Sequence, residues 1–142
     1  MSLDDNTPMT PAEITEKLRR GPFHDWLGLT VTAVGDGEIE ITATWRPEWV
    51  VNPKGGYTHG GILATLVDLT ADWSLVSLLG HPVPTVDLRV DYHRPAMQGD
   101  LTARGRVIKS GKSLSVCEAS VFDAEGRLLA SGRGVYSMPK PG

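Results

Sequence analysis

The chain reads as an α+β fold in which a mostly antiparallel sheet wraps one long central helix. Three observations carry that expectation. The stretch Thr58 to Leu79 is long and almost wholly apolar or small between Ile62 and Leu79, as a helix buried on several sides must be. Six shorter stretches carry the alternation or β-rich composition of strands. The last four follow one another through turns at Gly99-Asp100, Ser110-Gly111-Lys112 and Asp123-Ala124-Glu125-Gly126, which implies sequential antiparallel pairing.

The elements follow in order. Thr10-Pro11-Ala12-Glu13 is a capping box with proline at the first helical position, and it opens a short helix over Ala12 to Arg20. Gly21-Pro22 stops it, and residues 23–28 read as a compact linker with apolar anchors. Leu29 to Val34 and Glu38 to Trp45 are strands about the turn Gly35-Asp36-Gly37. In the second, Ile39, Ile41 and Ala43 alternate with Glu40, Thr42 and Thr44. Residues 46–57 form a long loop with two prolines and two glycines. After the long helix, Gly80 and Pro82 end it, and four strands follow in a meander: Val86 to Tyr92, Leu101 to Ile108, Leu114 to Phe122 and Leu128 to Tyr136. Residues 1–9 read as a disordered tail, 10–138 as one domain and 139–142 as a second tail. A sheet with one helix on one face leaves another surface to cover, which favours an oligomer.

Composition narrows the function. With 142 residues there is room for one domain, and 40% hydrophobic residues suffice for a real core. The net charge of −3 argues against a dedicated nucleic-acid binder. A single cysteine, Cys117, builds neither an internal disulfide nor a zinc cluster, so a reducing, cytoplasmic home is expected. The acidic start Met1-Ser2-Leu3-Asp4-Asp5 is unlike a secretory signal. Gly61 to Leu79 is long enough to span a membrane, but Asp68 and Asp72 would each cost roughly 3 kcal/mol near the bilayer centre, so a buried helix is expected instead.

Candidate chemistry concentrates where the long loop enters the long helix: Asn52, then His59-Gly60-Gly61. Two glycines at a helix start leave backbone N–H groups uncovered at the positive end of the dipole, a place to stabilise an oxyanion; a flexible loop with a glycine cap is the plainer alternative. Asp68 lies nine residues after His59 among Leu66, Val67 and Leu69. It is either a buried carboxylate serving as base or nucleophile, or part of a wet stripe with Thr65 and Asp72. Nine helical residues span about 13 Å and turn Asp68 to the face opposite His59. The Gly60 amide and Asp68 of one chain therefore cannot flank one small carbonyl. Two antiparallel helices about a two-fold axis can bring Gly60 of one protomer beside Asp68 of the other, giving two sites per dimer.

The run Asn52…His59-Gly60-Gly61-Ile62-Leu63-Ala64-Thr65-Leu66-Val67-Asp68, then Pro84-Thr85-Val86-Asp87-Leu88 and Tyr92-His93-Arg94-Pro95, resembles the PaaI-like (phenylacetate-pathway type) hotdog-fold acyl-CoA thioesterases over about residues 22–138. The resemblance implies a homodimer with a continuous sheet, often a dimer of dimers, and hydrolysis of acyl-CoA to free acid and CoA. It implies no metal and no cofactor, CoA being part of the substrate. In its terms Asp68 is the catalytic acid, base or nucleophile, and Gly60 the backbone donor to the thioester oxygen. His59 and Asn52 shape the pocket and position substrate or water, and Thr85 helps hold the attacking water. Gly61, the stretch Tyr92, His93, Arg94 and Pro95, and the turn Lys109, Ser110, Gly111, Lys112 and Ser113 match segments that contact substrate or CoA. Two departures bear on these roles. Gly55-Gly56 makes the segment before His59 one residue longer than in some relatives, and His93-Arg94 is more basic, which favours phosphate contact.

Two other functions fit the same fold: an acyl-thioester hydratase or dehydratase, which needs a histidine and an acid together on the acyl chain, and a non-catalytic acyl-CoA-binding module. Trp49, Tyr57 and Trp73 either line a pocket for an aryl or medium-chain acyl group or belong to the core. His24 and His81 read as structural or surface residues.

Overall fold

The computed structural model describes residues 8–138. Residues 1–7 of the expected first tail, and the whole second tail, lie outside them; Met9 is half-buried against the core. Helix α1 spans Pro11–Leu18, with the Thr10 hydroxyl accepting from Glu13 N–H at 3.2 Å. It buries Ile14 and Leu18, and its Thr15 hydroxyl accepts from Val31 N–H at 2.9 Å, which ties it to the first strand. Gly21-Pro22 ends α1 as expected, but much of the expected linker 23–28 is a one-turn helix α2 (Pro22–Trp26), because Pro22 presets the first helical φ.

Six strands form one antiparallel sheet: β1 Leu29–Gly35, β2 Glu38–Ala43, β3 Thr85–Tyr92, β4 Leu101–Lys109, β5 Leu114–Phe122 and β6 Leu128–Ser137. Their order is β1-β2-β4-β5-β6-β3. The four late strands are thus not a simple meander. β4, β5 and β6 follow one another, but β3 pairs with β6 and forms the far edge. The reason lies in the connection: His93 to Asp100 is too long for a tight hairpin and carries Pro95 and Gly99, so the chain crosses back to β2 before β4 begins.

The long helix α3, Gly60–Leu79, lies in the concave face of this sheet and buries Leu63, Leu66, Val67, Thr70, Ala71, Ser74 and Leu75. It is the one helix among the described residues long and apolar enough to cross a membrane, and here it forms the core. Gly80, at φ 82°, ends it and donates to the Val76 carbonyl. The helix sits close because glycines face it. A Cβ at Gly105 on β4 would lie 2.6 Å from the Thr70 carbonyl oxygen, and one at Gly132 on β6 would meet Val67 Cγ1 at 2.8 Å. Helix and sheet backbones meet at Thr70, and the Val67 side chain packs on the β6 backbone.

One turn beyond Asp68, Asp72 is half-buried, and its Oδ1 is buried without a hydrogen-bond partner among the described residues. Burial first, and the Asp68 charge second, push its pKa up from 3.8 to about 7. Buried Cys117, on β5, stays a thiol for the same first reason, its pKa raised to about 11.

Two predictions follow from this packing. Gly105→Ala forces α3 off the sheet and lowers unfolding stability by about 1–3 kcal/mol, read from chemical denaturation; an unchanged midpoint would show that the backbone contact is not tight. Folding raises the Asp72 pKa, so the native state binds more protons than the unfolded chain between about pH 4 and 7. Its contribution to stability is full below about pH 4 and is lost as the pH rises through about 7. Asp72→Asn, which never charges, therefore gains melting temperature over the parent as pH is raised from 4 to 8; a constant difference would contradict this.

Candidate active site

The N-terminal turn of α3 is organised by His59. It is the N-cap, and its Nδ1 accepts from Gly61 N–H at 2.7 Å, so in this cap the ring proton sits on Nε2. Ile62 N–H goes to the His59 carbonyl at 2.9 Å. Just upstream, Thr58 N–H donates to Ala96 and His59 N–H to Trp49, both at 2.8 Å. These bonds leave Gly60 N–H without an acceptor among the described residues, at the positive end of a 20-residue helix. The two glycines are thus not equivalent: Gly61 spends its amide on the cap, and Gly60 offers its own. Tyr92, at the end of β3, lies across Gly60, with its ring 3.3 Å from where a Cβ would stand and its hydroxyl donating to the Gly60 carbonyl at 2.9 Å.

Asp68 is held from two strands. The Thr85 hydroxyl donates to Asp68 Oδ1 at 2.8 Å. The Tyr136 hydroxyl lies 3.0 Å from the Asp68 main-chain oxygen and 3.2 Å from Oδ1. Tyr136 is fully buried, and burial together with the Asp68 and Asp72 charges pushes its pKa well above the usual phenol value. Oδ2 takes no hydrogen bond among the described residues. Thr85 therefore touches the carboxylate itself. Tyr136 was not among the residues singled out from sequence; the available signal was an aromatic residue at an inward position of the last strand, two places after a glycine.

The other sequence-derived candidates divide. Arg94 and Pro95, with Tyr57, Gly60 and Tyr92, line a cleft of about 370 Å³ at the start of α3. His93 borders it, with Nε2 2.7 Å from the Ser131 hydroxyl. Lys109, Ser110, Gly111, Lys112 and Ser113 form the β4–β5 turn, where Gly111 N–H donates to Ser115 and the Ser113 carbonyl accepts from Met138. Asn52 is exposed, and its side chain accepts from Lys54 N–H at 3.0 Å, closing a local turn; no hydrogen bond joins it to His59 or Gly60 among the described residues. Trp49 is buried core, Trp73 packs half-buried against that core, and Tyr57 alone of the three aromatics lines the cleft.

These groups fall at two ends of one strand. Tyr92 to Pro95 and Gly60 lie at the C-terminal end of β3. Asp68 and Tyr136 meet Thr85 at its N-terminal end, where β5 also begins, since Ser115 pairs with Tyr136 and Tyr136 with Thr85. The Lys109–Ser113 turn is therefore on the Asp68 side. The two groups lie at opposite ends of β3, and the eight-residue step along α3 from Gly60 to Asp68 is about 12 Å. A larger concavity of about 510 Å³ lies over β1, β2, β4 and β5; both its arginines are paired, Arg104 with Glu40 and Arg106 with Glu118, and it contains none of these groups.

The sequence profile of the thioesterase superfamily matches residues 55–130, which include Gly60, Asp68 and Thr85. A candidate esterase of Halobacterium salinarum is 37% identical over 124 residues, covering 80% of this chain and 82% of its own. Mouse acyl-coenzyme A thioesterase 13 is 28% identical over 124 residues, covering 85% of this chain and 89% of its own. A crystal structure of a thioesterase-superfamily protein superposes with a TM-score of 0.88 at 45% identity, covering 92% of this chain and 100% of that one. The chain therefore belongs to the thioesterase superfamily, as a hotdog-fold thioester hydrolase whose H-G-G…D pattern resembles the PaaI-like group.

Proposed function

We propose that the protein hydrolyses acyl-CoA thioesters at two equivalent sites in a homodimer, itself able to pair into a dimer of dimers. The observation that carries this reading is the division of the site groups between the two ends of β3. That strand is a sheet edge, and Val86 and Tyr92 on it are exposed. An open edge is a template for another strand. Antiparallel pairing of β3 with its copy about a two-fold axis sets the Tyr92 end of one protomer beside the Thr85 end of the other. Gly60 of one chain then meets Asp68 of its partner, as the helix geometry requires.

In that site the Gly60 N–H, aligned with the α3 dipole, stabilises charge on the thioester oxygen as the carbonyl becomes tetrahedral. In the general-base route, Oδ2 of Asp68 takes a proton from water while the water oxygen bonds to the carbonyl carbon. Collapse breaks the C–S bond, and the CoA thiolate takes the proton back from Asp68. In the nucleophilic route, Oδ2 bonds to the carbonyl carbon, the C–S bond breaks as CoA thiolate leaves and a mixed anhydride forms, and water then cleaves the anhydride, restoring the Asp68 carboxylate and giving a proton to the thiolate. Both yield free acid and CoA. Arg94 on one side and Lys109 and Lys112 on the other are the cations this reading assigns to the phosphates of CoA; Arg94 lines the cleft beside Gly60. His59 holds the helix cap, and Asn52 shapes the loop before it. Tyr57 at the cleft favours an aryl or medium-chain acyl group. A cytoplasmic location follows from the CoA substrate and the unpaired Cys117.

Purified protein is expected to release free thiol from aryl- or medium-chain acyl-CoA in preference to short-chain substrates. An enoyl-CoA converted with the thioester intact would show a hydratase, and tight binding without turnover would show a binding module. Asp68→Asn lowers kcat by roughly 10²–10⁴ with the fold retained; full activity would remove Asp68 from the mechanism. Gly60→Pro deletes the N–H at a helix position that tolerates proline, and costs about 10²–10³ in kcat. Each variant alone is inactive, but refolding the two together gives mixed dimers with one intact site each. Activity returning to about a quarter of the parent value would demonstrate the shared site, and none returning would place both groups in one chain.

A further inference from the structure

We infer that Tyr136 is a positioning residue for the reaction, holding Oδ1 of Asp68 together with Thr85 so that Oδ2 is the oxygen that meets water or the thioester. This rests on the reading of Asp68 as the reacting carboxylate. Thr85 and Tyr136 are cross-strand partners in the β3–β6 register, so their hydroxyls reach Oδ1 from adjacent strands, at 2.8 and 3.2 Å. A buried tyrosine needs an acceptor, and the Asp68 main-chain oxygen at 3.0 Å would by itself supply one. The phenol instead lies between that oxygen and Oδ1. It fixes the helix turn and the carboxylate with one group.

The strand around Tyr136 is arranged for this. Tyr136 lies over Gly134, where a Cβ would overlap its hydroxyl and ring. Glycine is a poor strand residue, and here it clears the path from β6 to α3. The titratable groups around the phenol are Asp68, Asp72 and Cys117, all of which oppose its ionisation. It is therefore a donor throughout the working pH range and never a competing base. With Oδ1 taking two donors, negative charge is drawn to that oxygen and the carboxylate plane is held. The unbonded Oδ2 keeps a lone pair in a fixed direction.

The test is Tyr136→Phe, with fold and dimer checked by circular dichroism and sedimentation. Loss of a donor to a charged acceptor is expected to lower kcat roughly tenfold to a hundredfold, with KM little changed. The acid limb of the kcat profile should move to higher pH by about one unit, because the ionised carboxylate loses a stabilising bond. A purely structural role would leave that limb in place. Replacing Tyr136 by 3-fluorotyrosine keeps the shape and strengthens the donor, so the acid limb should move the opposite way; this variant also serves if the phenylalanine variant fails to fold. Carboxyl ¹³C titration of Asp68 reads the same two shifts without turnover. If the parent enzyme cleaves no acyl-CoA, the proposed function fails, yet the titration still decides the role of Tyr136. If the parent is active and Asp68→Asn is not, while Tyr136→Phe leaves kcat, the pH limb and the Asp68 titration unchanged, the inference about Tyr136 is overturned on its own.

Discussion

The close approach of α3 to the sheet is the contact on which the rest depends. An almost uniformly apolar 20-residue helix has no single greasy face to bury, so the sheet must curve around it. Curving brings strand and helix backbones together, and only glycine at Gly105 and Gly132 lets the Thr70 carbonyl and Val67 come as near as they do. Asp68 is carried in that same turn. Asp68 lies between Val67 and Thr70, whose contacts with β6 and β4 hold the turn that carries it. A carboxylate that must meet a carbonyl carbon within a few tenths of an ångström gains from such a mount.

In the proposed reaction the same helix would supply the two halves of the chemistry in opposite senses. Its first turn gives a positive backbone terminus, with Gly61 tied to His59 and Gly60 open. Two turns on, it gives an anion, whose nearest titratable neighbours are acids. No base sits beside Asp68 among the hydrogen-bond partners found for it; its Oδ1 is held by hydroxyl groups. Neutral donors orient the carboxylate without adding a charge beside it. Asp72, largely neutral up to about pH 7, fits the same economy: a second full charge one helical turn away would be expensive at this depth.

Much of this was legible from residues alone, because the strongest signals were local. The length and apolarity of residues 58–79, the alternation in Glu38 to Trp45 and the glycine turns depend on nearest neighbours. Separation of Gly60 from Asp68 followed from helix pitch. What escaped was non-local. The placement of β3 beside β6 is decided by the path of residues 93–100 across the sheet, which no periodicity encodes. Tyr136 is 68 residues from Asp68, and only the β3–β6 register brings it to the site. Asn52 shows the converse: its side chain closes a turn on Lys54, and an asparagine in a glycine-rich loop serves that local use as readily as a distant one.

The positions of the substrate-contacting groups bear on why such a site would be shared. A CoA thioester is long, with phosphates at one end and the reacting carbonyl well removed from them. Within one protomer Arg94 lies in the cleft beside Gly60, and the turn that carries Lys109 and Lys112 lies toward the opposite end of β3. In the proposed dimer, pairing across the β3 edge would bring both sets to each end, and would cover an open strand that otherwise invites association with other chains. A straight helix that turns Gly60 and Asp68 apart leaves one chain incomplete for the proposed reaction, and two antiparallel copies would supply what it lacks.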